Sequence, residues 1–154
     1  MKKIVSMLLV GIMSISLCAC GETETNKTTA KEEMLAEAEI ISLGVLSEAR
    51  GNLAKAKTHI DKVYQLTLYV LEVGEDYCLI TVGEEGLDGN MRARSNNLLL
   101  VKVHLPNEDL VNLELDEEIT VAGKITDVIV EDYETLGHHF DRYIYEMGSA
   151  YLVE

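Results

Sequence analysis

The chain of 154 residues has no Trp, one Phe and one Pro. A single Pro excludes a Pro-rich linker or a polyproline ligand. Basic residues are scarce: 13 Lys+Arg stand against 27 Asp+Glu, a formal charge of −14. A protein that grips a phosphate backbone needs clustered Lys and Arg, so this balance speaks against nucleic acid as a partner. Cysteine is rare as well. Beyond the first twenty residues only Cys78 remains, so no disulfide framework can form there. What is present is ordinary for a globular chain: 47% hydrophobic and 26% charged residues, in a length that suits one domain.

The first segment reads as an address. Lys2 and Lys3 precede an apolar run over residues 4–19. As a helix that run would reach about 24 Å, short of a hydrocarbon core of about 30 Å. Ser6, Gly11, Ser14 and Ser16 interrupt it. A basic start, a short apolar middle and small residues at the end make a secretory signal. Leu17-Cys18-Ala19-Cys20-Gly21 resembles the lipobox of bacterial lipoproteins. The resemblance implies cleavage after Ala19 and diacylation, of palmitate type, on the Cys20 thiol. The other reading is an ordinary signal cleaved at the same bond without lipid. Two acyl chains anchor stably where one does not, so the mature chain is expected on the extracytoplasmic face of the cell membrane. Loss of Lys2 and Lys3 leaves 11 basic residues against 27 acidic ones, a formal −16.

Residues 20–31 read as the lipidated Cys followed by a solvated tether, and residues 32–154 as a single domain. Over residues 32–60 apolar residues recur at three- and four-residue steps: Leu35, Ala38, Ile41, Val45, Ala49, Leu53 and Ala56. The pattern predicts one helix, capped by Thr28 or Thr29, bent or split near Gly51. The period then changes to two. Residues 63–73 and 77–82 predict a hairpin, 83–96 a long polar loop, and 97–105 a third strand ended by Pro106. A short helix with Asn107 as cap is expected over 107–113. Residues 118–130 form a fourth strand with a bulge or bend at Gly123, residues 131–141 a loop, and 142–153 a fifth strand.

Five strands, a leading helix and a short helix between the third and fourth strands give a mainly β (α+β) class. The order is that of the five-stranded OB-fold barrel. Asn52-Leu53-Ala54-Lys55-Ala56, Leu66-Thr67-Leu68-Tyr69-Val70, Val101-Lys102-Val103-His104-Leu105-Pro106 and Ile119-Thr120-Val121-Ala122-Gly123-Lys124-Ile125 together resemble the tRNA_anti-like OB-fold proteins, many of them lipoproteins. Leu68 departs from that pattern, which often has Gly there. The resemblance implies a fold and not an activity.

Chemistry is sparse. Tyr64, Tyr69 and Tyr77 could stack against a ligand, and Arg92 and Arg94 lie in the loop after the second strand. Tyr69, Tyr77, Arg92 and Arg94 are the candidate binding residues. His138, His139 and Asp141, or Glu84, Glu85 and Asp88, fall short of the three or four convergent ligands of a zinc site and lack calcium spacing, so no metal is expected. Cys78 has no assignable base. Ser residues lie in no nucleophile elbow, and Gly83, Gly86 and Gly89 form no phosphate loop. No cofactor and no catalytic residue is expected, so the chain does not read as an enzyme. The expected function is a membrane-tethered binding or adaptor domain for a protein, a peptide or an envelope glycan. The alternatives are a cell-envelope spacer without a discrete ligand, and single-stranded nucleic-acid binding.

Overall fold

The computed structural model describes residues 22–153. The signal segment and Cys20 lie outside the described residues. Helix α1 spans Glu22–Glu37, so it begins within the segment read as a tether, and Thr28 and Thr29 lie inside it rather than at its start. The single helix expected over residues 32–60 is replaced by several short elements. Strand β1 (Glu39–Ile40) pairs in parallel with Tyr64 and Gln65. Helix α2 (Leu43–Ser47) follows Ser42, whose extended backbone breaks the run. Gly51, at φ 81°, then ends the next turn before α3 (Leu53–Ala56) and a 3₁₀ turn (Lys57–His59). A positive φ is open to glycine at no steric cost, which makes Gly51 the break point. The apolar spacing is real but serves separate turns. Leu43, Leu46, Ala49 and Ala56 are buried, while Val45 and Leu53 face solvent.

Strand β2 spans Val63–Val73, as its period of two predicts. Tyr64, Leu66, Leu68 and Val70 point inward and the residues between them outward. Strand β3 (Cys78–Thr81) completes the hairpin. The region read as a polar loop contains a second hairpin, β4 (Gly83–Glu85) with β5 (Met91–Ala93). Its turn is held by Asp88, which accepts from the backbone and side chain of Asn90. Strand β6 is Leu99–Val103. Helix α4 (Asn107–Leu110) starts one residue beyond its cap, Pro106, not at an Asn107 cap. The fixed φ of proline suits that position, and its carbonyl accepts from the amides of Asp109 and Leu110.

Strands β7 (Glu118–Thr135) and β8 (His138–Leu152) are long and pair through almost their whole length. The main sheet runs β1-β2-β3-β6-β8-β7, and β2 pairs with β7 as well, so the sheet turns back on itself. The β6–β8 pair is parallel and the other principal pairs antiparallel. Irregular register bends the ladder at three places. Leu71 is extra on β2, Thr126 is extra on β7, and Ser149 and Ala150 together oppose Gly123. Such bulges raise local twist and let a sheet curl. At Gly123 a Cβ would lie 2.6 Å from Met147 Cγ and 2.8 Å from the Ala150 methyl, so only glycine fits the bend.

The core fills the inside of the curl. Val101 and Val103 of β6, Val121 and Ile125 of β7, and Tyr145 and Met147 of β8 are all buried. Leu43, Leu46, Ala49 and Ala56 close the end where β2 begins, and Leu105 and Leu110 join the core beside α4. Each large aliphatic side chain buried this way contributes about 1.5–3 kcal/mol. Two tyrosines carry their hydroxyls into this core. Tyr145 donates to the Leu46 carbonyl at 3.2 Å, and Tyr64 lies 2.8 Å from His59 Nδ1.

Candidate functional site

The outward face of β3, β6 and β8 is a continuous surface. Register aligns Glu72, Leu79, Lys102, Glu146 and Asp127 in one row across it. Lys102 Nζ lies 3.3 Å from Glu146 Oε1 and 4.7 Å from the centroid of the Tyr77 ring. The Tyr77 hydroxyl donates to Glu72 Oε1 at 2.7 Å, and that bond holds its pKa above the usual tyrosine value. Side chains on this face thus link acid, aromatic, base and acid in the order Glu72, Tyr77, Lys102 and Glu146.

The four residues singled out in the sequence do not form one cluster. Tyr69 lies opposite Thr81, at the far end of β3 from Tyr77. Four residues of strand separate the two ends, about 13 Å. The Tyr69 ring covers Gly83, with the Met91 methyl beside it, and its hydroxyl bonds to Glu118, which raises its pKa. Arg92 donates to Asp88 at 2.6 Å within the β4–β5 hairpin. Arg94 donates to Asn96 at 3.1 Å and lies 3.5 Å from Glu84. Both guanidinium groups are therefore paired within or next to their own hairpin.

Sequence reasoning missed the ribbon. Residues 131–141, read as a loop, are the outer halves of β7 and β8, joined by the two-residue turn Leu136-Gly137. Both turn residues have positive φ, 52° and 75°, the geometry of a tight hairpin turn that matches strand twist. Pairing sorts the side chains. Glu131, Tyr133 and Thr135 share one face with Arg142, Phe140 and His138, continuing the outward face of the sheet. Asp132, Glu134, His139 and Asp141 share the other. That second face continues the inward side of the sheet past Val130 and Tyr143, and its change to charge marks where the core stops. The available signal was the Leu-Gly pair between two stretches rich in aromatic and β-branched residues.

Arg142 roots the ribbon. Its guanidinium carbon lies 3.4 Å from the Tyr133 ring centroid, its Nη1 3.7 Å from Glu131, and its Nη2 donates to the Ser95 carbonyl at 3.5 Å. At the tip, Leu136 is 95% exposed, and Phe140 and Ile129 stand at 40% and 39% on the outward face.

His138 and His139 fall on opposite faces, and His139 Nδ1 lies 2.8 Å from Asp132. Among the described residues no group of three or more His, Cys, Asp or Glu converges on a metal position. Cys78 is buried in the core, and burial pushes its thiol up to about 12.

No family model matches the sequence, and no curated protein matches it. Among solved structures, a "putative nucleic acid-binding lipoprotein" from Klebsiella pneumoniae superposes with a TM-score of 0.47 and 12% identity. The match covers 80% of this chain and 98% of that one. A likeness of that size assigns no ligand here.

Proposed function

We propose that the chain is a membrane-tethered binding module of OB-fold type. It would hold a protein partner on the extracytoplasmic face through the β7–β8 ribbon and the outward sheet face at its root. The ring of pairings β2-β3-β6-β8-β7, the parallel β6–β8 pair and α4 between β6 and β7 support that fold. On such barrels the second and third strands and the loop between the fourth and fifth hold ligands. Here those elements are β3, β6 and the ribbon. The lipobox-like Leu17-Cys18-Ala19-Cys20 supports the tether.

The observation that carries the reading is Leu136. A left-handed backbone costs an ordinary side chain about 1–2 kcal/mol, and Asn or Gly relieves it. Leu136 accepts that conformation while 95% exposed, so it contributes neither turn geometry nor core. Local rules broken without a folding gain mark sites kept for contact. With Phe140 and Ile129 it offers an apolar contact to a partner.

Photocrosslinkers placed at 136 and 140 in cells test this, with position 111 as an exposed control remote from the ribbon. Adducts at 136 and at 140 are expected, and Leu136→Asn should abolish those formed from position 140. Adducts no stronger than those at 111 would overturn the reading. Mass spectrometry of the mature N-terminus tests the tether: a diacylated Cys20 is expected, and an unlipidated start refutes it.

A further inference from the structure

We propose that residues 42–60 form a lid over one end of the curled sheet, latched by neutral His59 and released when that ring takes a proton. The lid is separate from the ribbon and does not depend on its role.

The segment is pinned at both ends and lightly tied between them. Before it, the Ile41 amide donates to the Gln65 carbonyl at 3.0 Å. After it, the Asp61 amide donates to the Ile125 carbonyl and the Ile125 amide to the Lys62 carbonyl, both at 2.9 Å. From Ser42 to Ile60 the backbone amides donate to carbonyls of the same segment. The side-chain bonds of Ser47, Asn52, Lys55 and Thr58 are internal too. Among the described residues, two side-chain hydrogen bonds cross from the lid to the sheet, and both use tyrosines. Tyr145 of β8 holds the Leu46 carbonyl, and Tyr64 of β2 holds His59. Burial of Leu43, Leu46, Ala49 and Ala56 completes the closure. A unit that keeps its own bonds and has few outside it can open while the rest of the fold stays intact.

His59 is the part of the latch that can be switched. Its ring is 8% exposed and packs against both tyrosines, tilted to Tyr64 at 5.8 Å and edge-on to Tyr145 at 5.9 Å. A charged imidazole donates from both nitrogens, so Tyr64 can no longer donate to it. Burial opposes the charge most, followed by Lys62 and Lys55. Glu39 of β1 and Glu48 just beyond α2 favour it less. On β7, Lys124 is held by Asp61 at 2.8 Å. Opening moves the ring into water, where it charges without these costs. Falling pH therefore favours the open lid, which bares Leu43, Leu46 and the end of the sheet that they cover.

Hydrogen exchange read by mass spectrometry on the full-length chain in detergent micelles tests this, with rates corrected for the intrinsic effect of pH. Exchange over residues 43–60 should rise by up to about tenfold per pH unit below 6.5, the linkage of one proton taken up on opening. Strand β6 should keep its protection. His59→Gln, which can still bond Tyr64 but does not titrate, should remove the rise. Tyr145→Phe, which cuts the other latch, should quicken exchange in the lid at pH 7 and retain the rise on acidification. Should His59→Gln fail to fold, the comparison of lid with β6 in the parent chain and in Tyr145→Phe decides. Lid exchange indifferent to pH, a rise shared equally by β6, or a rise that persists in His59→Gln would overturn the proposal.

Discussion

Arg142 and Tyr133 stack across the base of the β7–β8 ribbon, guanidinium over ring at 3.4 Å, where the paired strands leave the core. The Arg142 side chain is 13% exposed, and its Nε is buried without a hydrogen-bond partner. The side chain is therefore kept for its planar stack and its reach to Glu131 and Ser95. Lysine cannot reproduce a stack of this kind. Arg142→Lys should loosen the ribbon by about 1–2 kcal/mol. Amide exchange should quicken over residues 131–141 and stay unchanged in β2. Unaltered exchange in the ribbon would show that pairing alone holds it.

Gly123 sets the bend that the sheet needs. Its missing Cβ would meet Met147 and Ala150, both buried. Gly123→Ala should cost about 1–3 kcal/mol through forced movement of packed neighbours. A urea midpoint lowered at unchanged slope is the expected reading. An unchanged midpoint would mean that the bulge absorbs a methyl group.

Burial, followed by Lys62 and Lys55, lowers the pKa of His59 below its usual 6.5. The unfolded chain then binds the proton more readily than the folded one. His59 thus contributes stability that is present above pH 6.5 and lost as pH falls through the lower folded value. His59→Gln, which retains a group able to bond Tyr64, should show a smaller drop in melting temperature between pH 7 and pH 5 than the parent chain. Identical slopes would remove His59 from the acid response. His104, His138 and His139 are common to both proteins and cancel in the comparison.

Cys78 should resist alkylation in the folded chain, since the thiolate is the reactive form and burial suppresses it. Mass spectrometry should find the peptide carrying Cys78 unmodified by iodoacetamide under native conditions and fully modified in denaturant. Rapid native labelling would indicate an open path through β3.

The legible parts of the chain were those in which one face is apolar. Strand β2 was readable to the residue because Tyr64, Leu66, Leu68 and Val70 alternate with outward positions. Gly123 announced its bulge because glycine has little other reason to stand in a long strand. The ribbon was illegible for the same physical cause. Beyond Val130 both faces meet solvent, so Asp132, Glu134 and Asp141 alternate with aromatics and no hydrophobic period remains. The helical spacing of Ile41, Ala49 and Ala56 misled because separate short turns can bury the same residues as one long helix. At the candidate site, identities were readable but partners were not. Nothing local to Arg92 or Arg94 revealed that Asp88 and Glu84 would occupy them, and nothing near Tyr77 pointed to Lys102, which arrives from another strand.

Strand β8 pairs with both β6 and β7 and carries Tyr143, Tyr145 and Met147 into the core. Its pairing with β7 runs on to Leu152. The β6–β8 and β7–β8 pairings both wait for it. A chain that emerges N-terminus first has β2, β3 and β6 in hand but no means of joining β6 to β7. Such topologies settle slowly, since distant pairings form late. Strand β8 is in this sense the seal of the fold: without residues 143–152 nothing joins β6 to β7.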